Sequence, residues 1–192
     1  LNKKYFLDTS EFTYLVNERK LISNSKTILK DKLDNTLITE KFYYLISKNI
    51  IKFNNSTFID NLGNSYFFKN AMLDTKSDQI IGNDLNVDFN KIMFGDNQND
   101  PRLKGKAFFL NKDTTTIEKG IFTACKKTDT CPPWTMSAEK IIHDKNRKII
   151  TYKDAWLKLY DKPVFYFPKF FHPDPTVKRQ SGLLMPTIAE SN

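Results

Sequence analysis

The sequence predicts an all-β domain, and three observations predict it. Apolar and polar residues alternate with a period of two in segments rich in β-branched and aromatic side chains. Clusters of Asn, Asp, Gly and Lys interrupt those segments at short intervals, as turns do. No segment carries the i, i+3, i+4 apolar stripe with capping residues that an amphipathic helix needs. With 192 residues, 40% hydrophobic and 27% charged, the chain has a globular composition and the length to bury a core.

The elements follow in order. Residues 35–47 (NTLITEKFYYLIS), 64–73 (NSYFFKNAML), 147–159 (RKIITYKDAWLKL) and 161–168 (DKPVFYFP) read as strands. Turn signals separate them at LDNT, NLGN, GDNQNDP and HDKNRK. Residues 83–112 lose the alternation around GDNQNDPRLKGK and read as a long connection. An offset of 29 aligns Asp31 with Asp60, Leu33 with Leu62, Asn35 with Asn64 and Ile51 with Ile80. Upstream it places Glu11 over Glu40 and Tyr14 over Tyr43, and FKNAML at 68–73 returns as YKDAWL at 152–157. Each unit is strand, turn, strand; alone it would expose its apolar face, so copies must stack. After Lys162 proline punctuation replaces alternation, as where a regular sheet ends.

Catalytic chemistry is thinly represented. No Gly-x-Ser-x-Gly elbow, P-loop, His-Glu-x-x-His or dinucleotide fingerprint occurs, and His143 and His172 read as structural or surface residues. Cys125 and Cys131 suit a disulfide in an oxidising compartment; a zinc site would need ligands that the two histidines do not supply at finger spacing. The net charge of +8 favours an anionic partner, although 26 lysines against four arginines also fit simple compositional bias. Lys169, Lys178 and Arg179 interleave with Phe167, Phe170 and Phe171, yet no nucleic-acid-binding motif accompanies them, so no nucleic-acid partner is expected. No apolar run approaches the length of a transmembrane helix. Leu1 and the lack of a leader suggest a fragment or mature form. Runs such as KFYYLI and SYFF make both faces of the sheet apolar. Either a second sheet covers the inner face, or that face lines a groove for an apolar ligand.

One stretch carries a family signature. It comprises GIFTAC at 120–125, Trp134, AEKIIHD at 138–144, Ala155, PVFYFP at 163–168 and PTVKRQSGLLMP at 175–186. This pattern, over about a third of the chain, resembles the OstA-like periplasmic region of the lipopolysaccharide-assembly (LptD) family. The upstream 29-residue units are similar to OstA-like repeats.

The resemblance implies an open, V-shaped β-jellyroll over residues 1–162. Residues 163–192 are then a junction leading into the first strand of an outer-membrane barrel. It implies lipopolysaccharide transport without catalysis or cofactor, on the periplasmic side of the outer membrane. The implied partners are lipopolysaccharide, a periplasmic bridge protein of the same fold, a lipoprotein that plugs the barrel, and the outer membrane itself. The rival expectations are a soluble OstA-like bridge protein or a secreted cell-wall glycan hydrolase. On strand parity, Ile38, Phe42, Tyr44, Phe67, Ala71, Leu73, Ala155 and Leu157 are expected to line a lipid groove; the inverted parity would put Tyr43, Met72 and Trp156 inside. Cys125 matches a family cysteine that ties this region to the barrel, while Cys131 leaves open a local bridge or a second bond to the barrel. Pro168, Pro186, Lys178 and Arg179 are expected at the junction and a lateral gate.

Overall fold

The computed structural model describes residues 5–94, 100–128, 132–174 and 177. Within them the regular structure is thirteen strands and two short 3-10 turns, at Ile46–Lys48 and Lys91–Phe94. The strands are β1 (Tyr5–Thr9), β2 (Thr13–Leu15), β3 (Lys20–Ser23), β4 (Thr27–Asp31), β5 (Thr36–Leu45), β6 (Ile50–Ile59) and β7 (Ser65–Asp74). They continue with β8 (Gln79–Asp88), β9 (Arg102–Leu110), β10 (Thr114–Thr123), β11 (Trp134–Asp144), β12 (Ile149–Leu159) and β13 (Lys162–Pro173). All pair antiparallel in one open sheet, each strand from β5 to β13 beside its chain neighbour. β3 and β4 pair with different halves of β5, so together they act as one interrupted strand.

A single sheet has no second layer, yet one face of this one is buried. It is folded on itself. The ladder skips one pair in mid-strand at Glu40 and Asn55 between β5 and β6, Glu139 and Asp154 between β11 and β12, and Asp154 and Pro168 between β12 and β13. It skips two pairs between β7 and β8 and between β9 and β10. At these points Asn55, Asp84, Lys119 and Asp154 adopt positive φ of 48–53°. Asn and Asp tolerate that conformation better than other side chains with a Cβ. The inward face therefore changes parity at a crease. Inward residues are two apart along each half-strand but three apart across the crease.

The side chains at the crease obey a volume rule. From β5 to β12 the inward pairs are Thr39/Phe42, Phe53/Ser56, Phe68/Ala71, Gly82/Leu85, Gly105/Phe108, Ile117/Gly120, Ala138/Ile141 and Tyr152/Ala155. Every pair joins a small residue to a large one, so the large chain of one half lies where the other half has little or no side chain. A Cβ on Gly105 would stand 2.4 Å from Ile117 Cγ2, and one on Gly120 would stand 2.4 Å from Ile141 Cδ1. Across the fold Phe68 meets Phe108 with ring centroids 5.6 Å apart. The result is an open, unclosed all-β trough, consistent with the expected open jellyroll.

The 29-residue repeat is structural. The Asp31 carboxylate accepts from the Leu33 and Asn35 backbone N–H groups and from Asn35 Nδ2; Asp60 does the same for Leu62 and Asn64. Each Asn then accepts from the next loop, Asn35 from the Asn61 N–H and Asn64 from the Asn90 N–H. One expectation is corrected: residues 83–112 are not one long connection. They hold the second half of β8, which ends at Asp88, and all of β9, which begins at Arg102. Asn83, Asp84, Asn86, Asp88, Lys104 and Lys106 occupy outward positions while Leu85, Val87, Leu103 and Phe108 face in.

Candidate functional site: the interior of the folded sheet

The interior has a floor at the crease and walls that rise along both half-sheets toward the strand ends. Phe42, Ala71, Leu73 and Ala155, four residues of the expected groove set, are buried in it. Tyr44 and Leu157 pack against that core while remaining partly exposed. Ile38 and Phe67 are placed elsewhere. Their neighbours Leu37, Thr39, Tyr66 and Phe68 face in, and Phe67 is 43% exposed on the outer face. A single parity carried along the whole strand put these two residues inside; the crease turns them out. The inverted set also lies outside. Trp156 is exposed, and the Tyr43 ring is flanked by the Lys20 and Lys41 ammonium groups at 5.2 and 5.1 Å. Trp156 borders a shallow outer hollow of about 300 Å³ with Ile121 and Ser137.

Sequence reasoning missed the wall residues Leu37, Phe58, Tyr66, Ile80, Ile150 and Leu159, which are partly buried against the core. The spacing of three between a large and a small residue was the available signal.

The buried hydroxyl groups at the crease are hydrogen-bonded to one another. At the first strands Thr9, Ser23, Ser25 and Thr27 exchange hydroxyl hydrogen bonds of 3.0–3.2 Å at the crease. Farther on, the Ser56 hydroxyl donates to Thr39 Oγ1 at 2.8 Å. These short side chains satisfy backbone carbonyls left by the interrupted ladder, Thr39 donating to Lys41 O and to Asn54 O. The Tyr66 hydroxyl donates to Asp60 Oδ2 at 2.9 Å; burial, with the Asp60 charge beside it, pushes its pKa well above the ordinary phenol range.

At the far end His172 Nδ1 lies 2.6 Å from the Pro173 carbonyl, so it donates there, and Nε2 accepts from the Tyr152 hydroxyl at 3.1 Å. Burial lowers the His172 pKa and raises that of Tyr152. His143 Nε2 stands 2.6 Å from Asp174 Oδ2. These contacts anchor β13 to β11 and β12. Among the described residues no group of three His, Cys, Asp or Glu side chains is placed to hold a metal ion.

Cys125 is buried and carries a free thiol in this structure, held by a Thr123 hydroxyl that accepts its N–H and by Arg102, which donates to its carbonyl. Cys131 lies outside the described residues, as do Lys178, Arg179 and Pro186. The segment expected to open the junction at 163 begins within the sheet, since β13 pairs with β12 from Lys162 to Pro173. Pro168 sits in β13 opposite Asp154, at the crease where the ladder makes no pair, so its missing N–H costs nothing there.

Several curated proteins resemble this chain. The LPS-assembly protein LptD of Hahella chejuensis is 38% identical over 76 residues, 40% of this chain and 9% of the relative. The LptD of Alcanivorax borkumensis is 32% identical over 92 residues, 47% and 12% of the two chains, and that of Vibrio cholerae is 33% identical over 89 residues, 45% and 11%. The chain carries an LptD-like domain. The match with these LptD proteins spans only about a tenth of their length. No protein-family model matches the chain.

Proposed function

We propose that this domain carries lipopolysaccharide, with the acyl chains between the two halves of the folded sheet and the sugars and phosphates in water. One observation carries the reading: a one-layer sheet folds so that both inner faces are apolar, and its walls stay partly uncovered toward the mouth. Each methylene shielded there contributes about 0.8 kcal/mol. The buried Phe42, Ala71 and Ala155 form the floor with Leu73 at the foot of one wall, and Tyr44, Leu157 and the wall residues are the surface an acyl chain would cover. The hairpin turns along one lip carry exposed Lys48, Lys76, Lys112 and Lys148, suited to phosphate groups beside the mouth. The similarity to LptD proteins supports the same substrate class.

In this reading the domain receives lipopolysaccharide from a periplasmic bridge protein of the same fold. It passes the lipid to an outer-membrane barrel with its plugging lipoprotein, on the periplasmic side of the membrane and with no catalytic step. The chain divides functionally near residue 162, and the segment from 163 leads toward the barrel. Pro168, Pro186, Lys178 and Arg179 serve that junction and its gate. Cys125 and Cys131 are oxidised in the mature protein. A photo-reactive residue at Leu157 tests the mode of binding. Lipopolysaccharide should label it and the deacylated molecule should not; equal labelling by both, or by neither, would overturn the reading.

A further inference from the structure

The volume rule at the crease fails at the two ends of the trough, and it fails in opposite senses. At the first end Ser23 and Thr27 are both small, are buried to 1% and 0%, and are bonded to each other at 3.2 Å. At the last strand both inward residues are large: Phe167 and Phe170, with ring centroids 5.4 Å apart. On every strand from β5 to β12 a large side chain faces a small partner across the crease, which lets the halves close. Two rings cannot both occupy that space. The aromatic surface continues on either side, Phe165 lying 4.8 Å from Phe167 and Tyr152 5.8 Å from Phe170. Phe165, an inward position, is 58% exposed.

We propose that Phe167 and Phe170 form a wedge that holds the folded sheet open at β13, making that end the place where an acyl chain crosses the rim of the trough. This rests on the reading that the interior carries acyl chains, and it names the residues that control one end of that path. The closed, hydroxyl-bonded first end and the open aromatic last end make the trough asymmetric along the sheet.

The rule supplies its own test. Phe167→Ala gives β13 the small-and-large pair of the other strands, so the fold is kept and the wedge removed; Phe167→Leu keeps both residues large. Phe170→Ala, the mirror-image pair, is the second variant should the first fold poorly. Photo-reactive residues are placed singly at Tyr44 and at Phe165 in the full chain, and purified lipopolysaccharide is the probe. The unmodified chain and Phe167→Leu should be labelled at both positions. Phe167→Ala should keep labelling at 44 and lose it at 165. Undiminished labelling at 165 in Phe167→Ala and Phe170→Ala would overturn the wedge while leaving the interior reading standing. Absence of labelling at 44 in the unmodified chain would overturn both.

Discussion

Gly120 shows how single residues set the fold. Its missing Cβ is the space into which Ile141 Cδ1 fits, 2.4 Å from where that Cβ would stand, with Cγ1 at 2.9 Å. Gly120→Ala should therefore destabilise the domain by about 1–3 kcal/mol in urea unfolding. Ile141→Val, which deletes the clashing methyl, should recover part of that loss in the double variant; simple additivity of the two losses would contradict the crease packing. His172 makes a separate prediction. Its pKa is held below the ordinary value of 6.5, first by burial and further by His143, while the Pro173 carbonyl and Asp174 oppose the shift. The unfolded chain then binds the proton more readily than the folded one. Stability is full above the ordinary imidazole range and falls as pH drops through and below it. Thermal midpoints measured from about pH 7.5 to 5 should decline, and His172→Gln should flatten that decline.

At the scale of elements, the turn around Asp60 is the unit that repeats. One carboxylate accepts from the Leu62 and Asn64 N–H groups, from Asn64 Nδ2 and from the Tyr66 hydroxyl. Asp60→Ala leaves those donors without their acceptor and should cost roughly 1–3 kcal/mol, whereas Asp34→Asn in the preceding, exposed turn, which keeps a side chain suited to the positive φ there, should cost far less. Unfolding in denaturant compares the two directly. The strands and the repeat were legible in the sequence because alternation and turn chemistry act over a few residues. The Asp31/Asp60 and Asn35/Asn64 matches became real hydrogen bonds. The crease was not legible as such, because a fold line needs only one or two unpaired positions per strand and the period of two resumes on either side. Carrying parity through it sent Ile38 and Phe67 to the wrong face. The echo of FKNA in YKDA was the visible trace: both place a large residue three positions before Ala at the crease, as Phe68/Ala71 and Tyr152/Ala155. Residues 83–112 were misread for a related reason, their polar side chains being the outward half of two ordinary strands.

At the scale of the whole molecule, the described residues form a sheet that meanders from β5 to β13 and is folded along a line, small and hydroxyl-bonded at its first end and aromatic at its last. Folding gives an apolar interior without a second sheet and leaves the side opposite the crease as a mouth. Carriage of acyl chains in that interior is the central functional claim, and the crease makes its most specific consequence a change of parity. A photo-crosslinking scan with lipopolysaccharide along β5, one reactive residue at a time from 36 to 45, tests it most directly. The expected labels fall at Leu37 before the crease and at Tyr44 beyond it, with Ile38 and Tyr43 unlabelled. Labelling of Ile38 and Tyr43 in place of Leu37 and Tyr44 would place the lipid on the outer face and contradict the account.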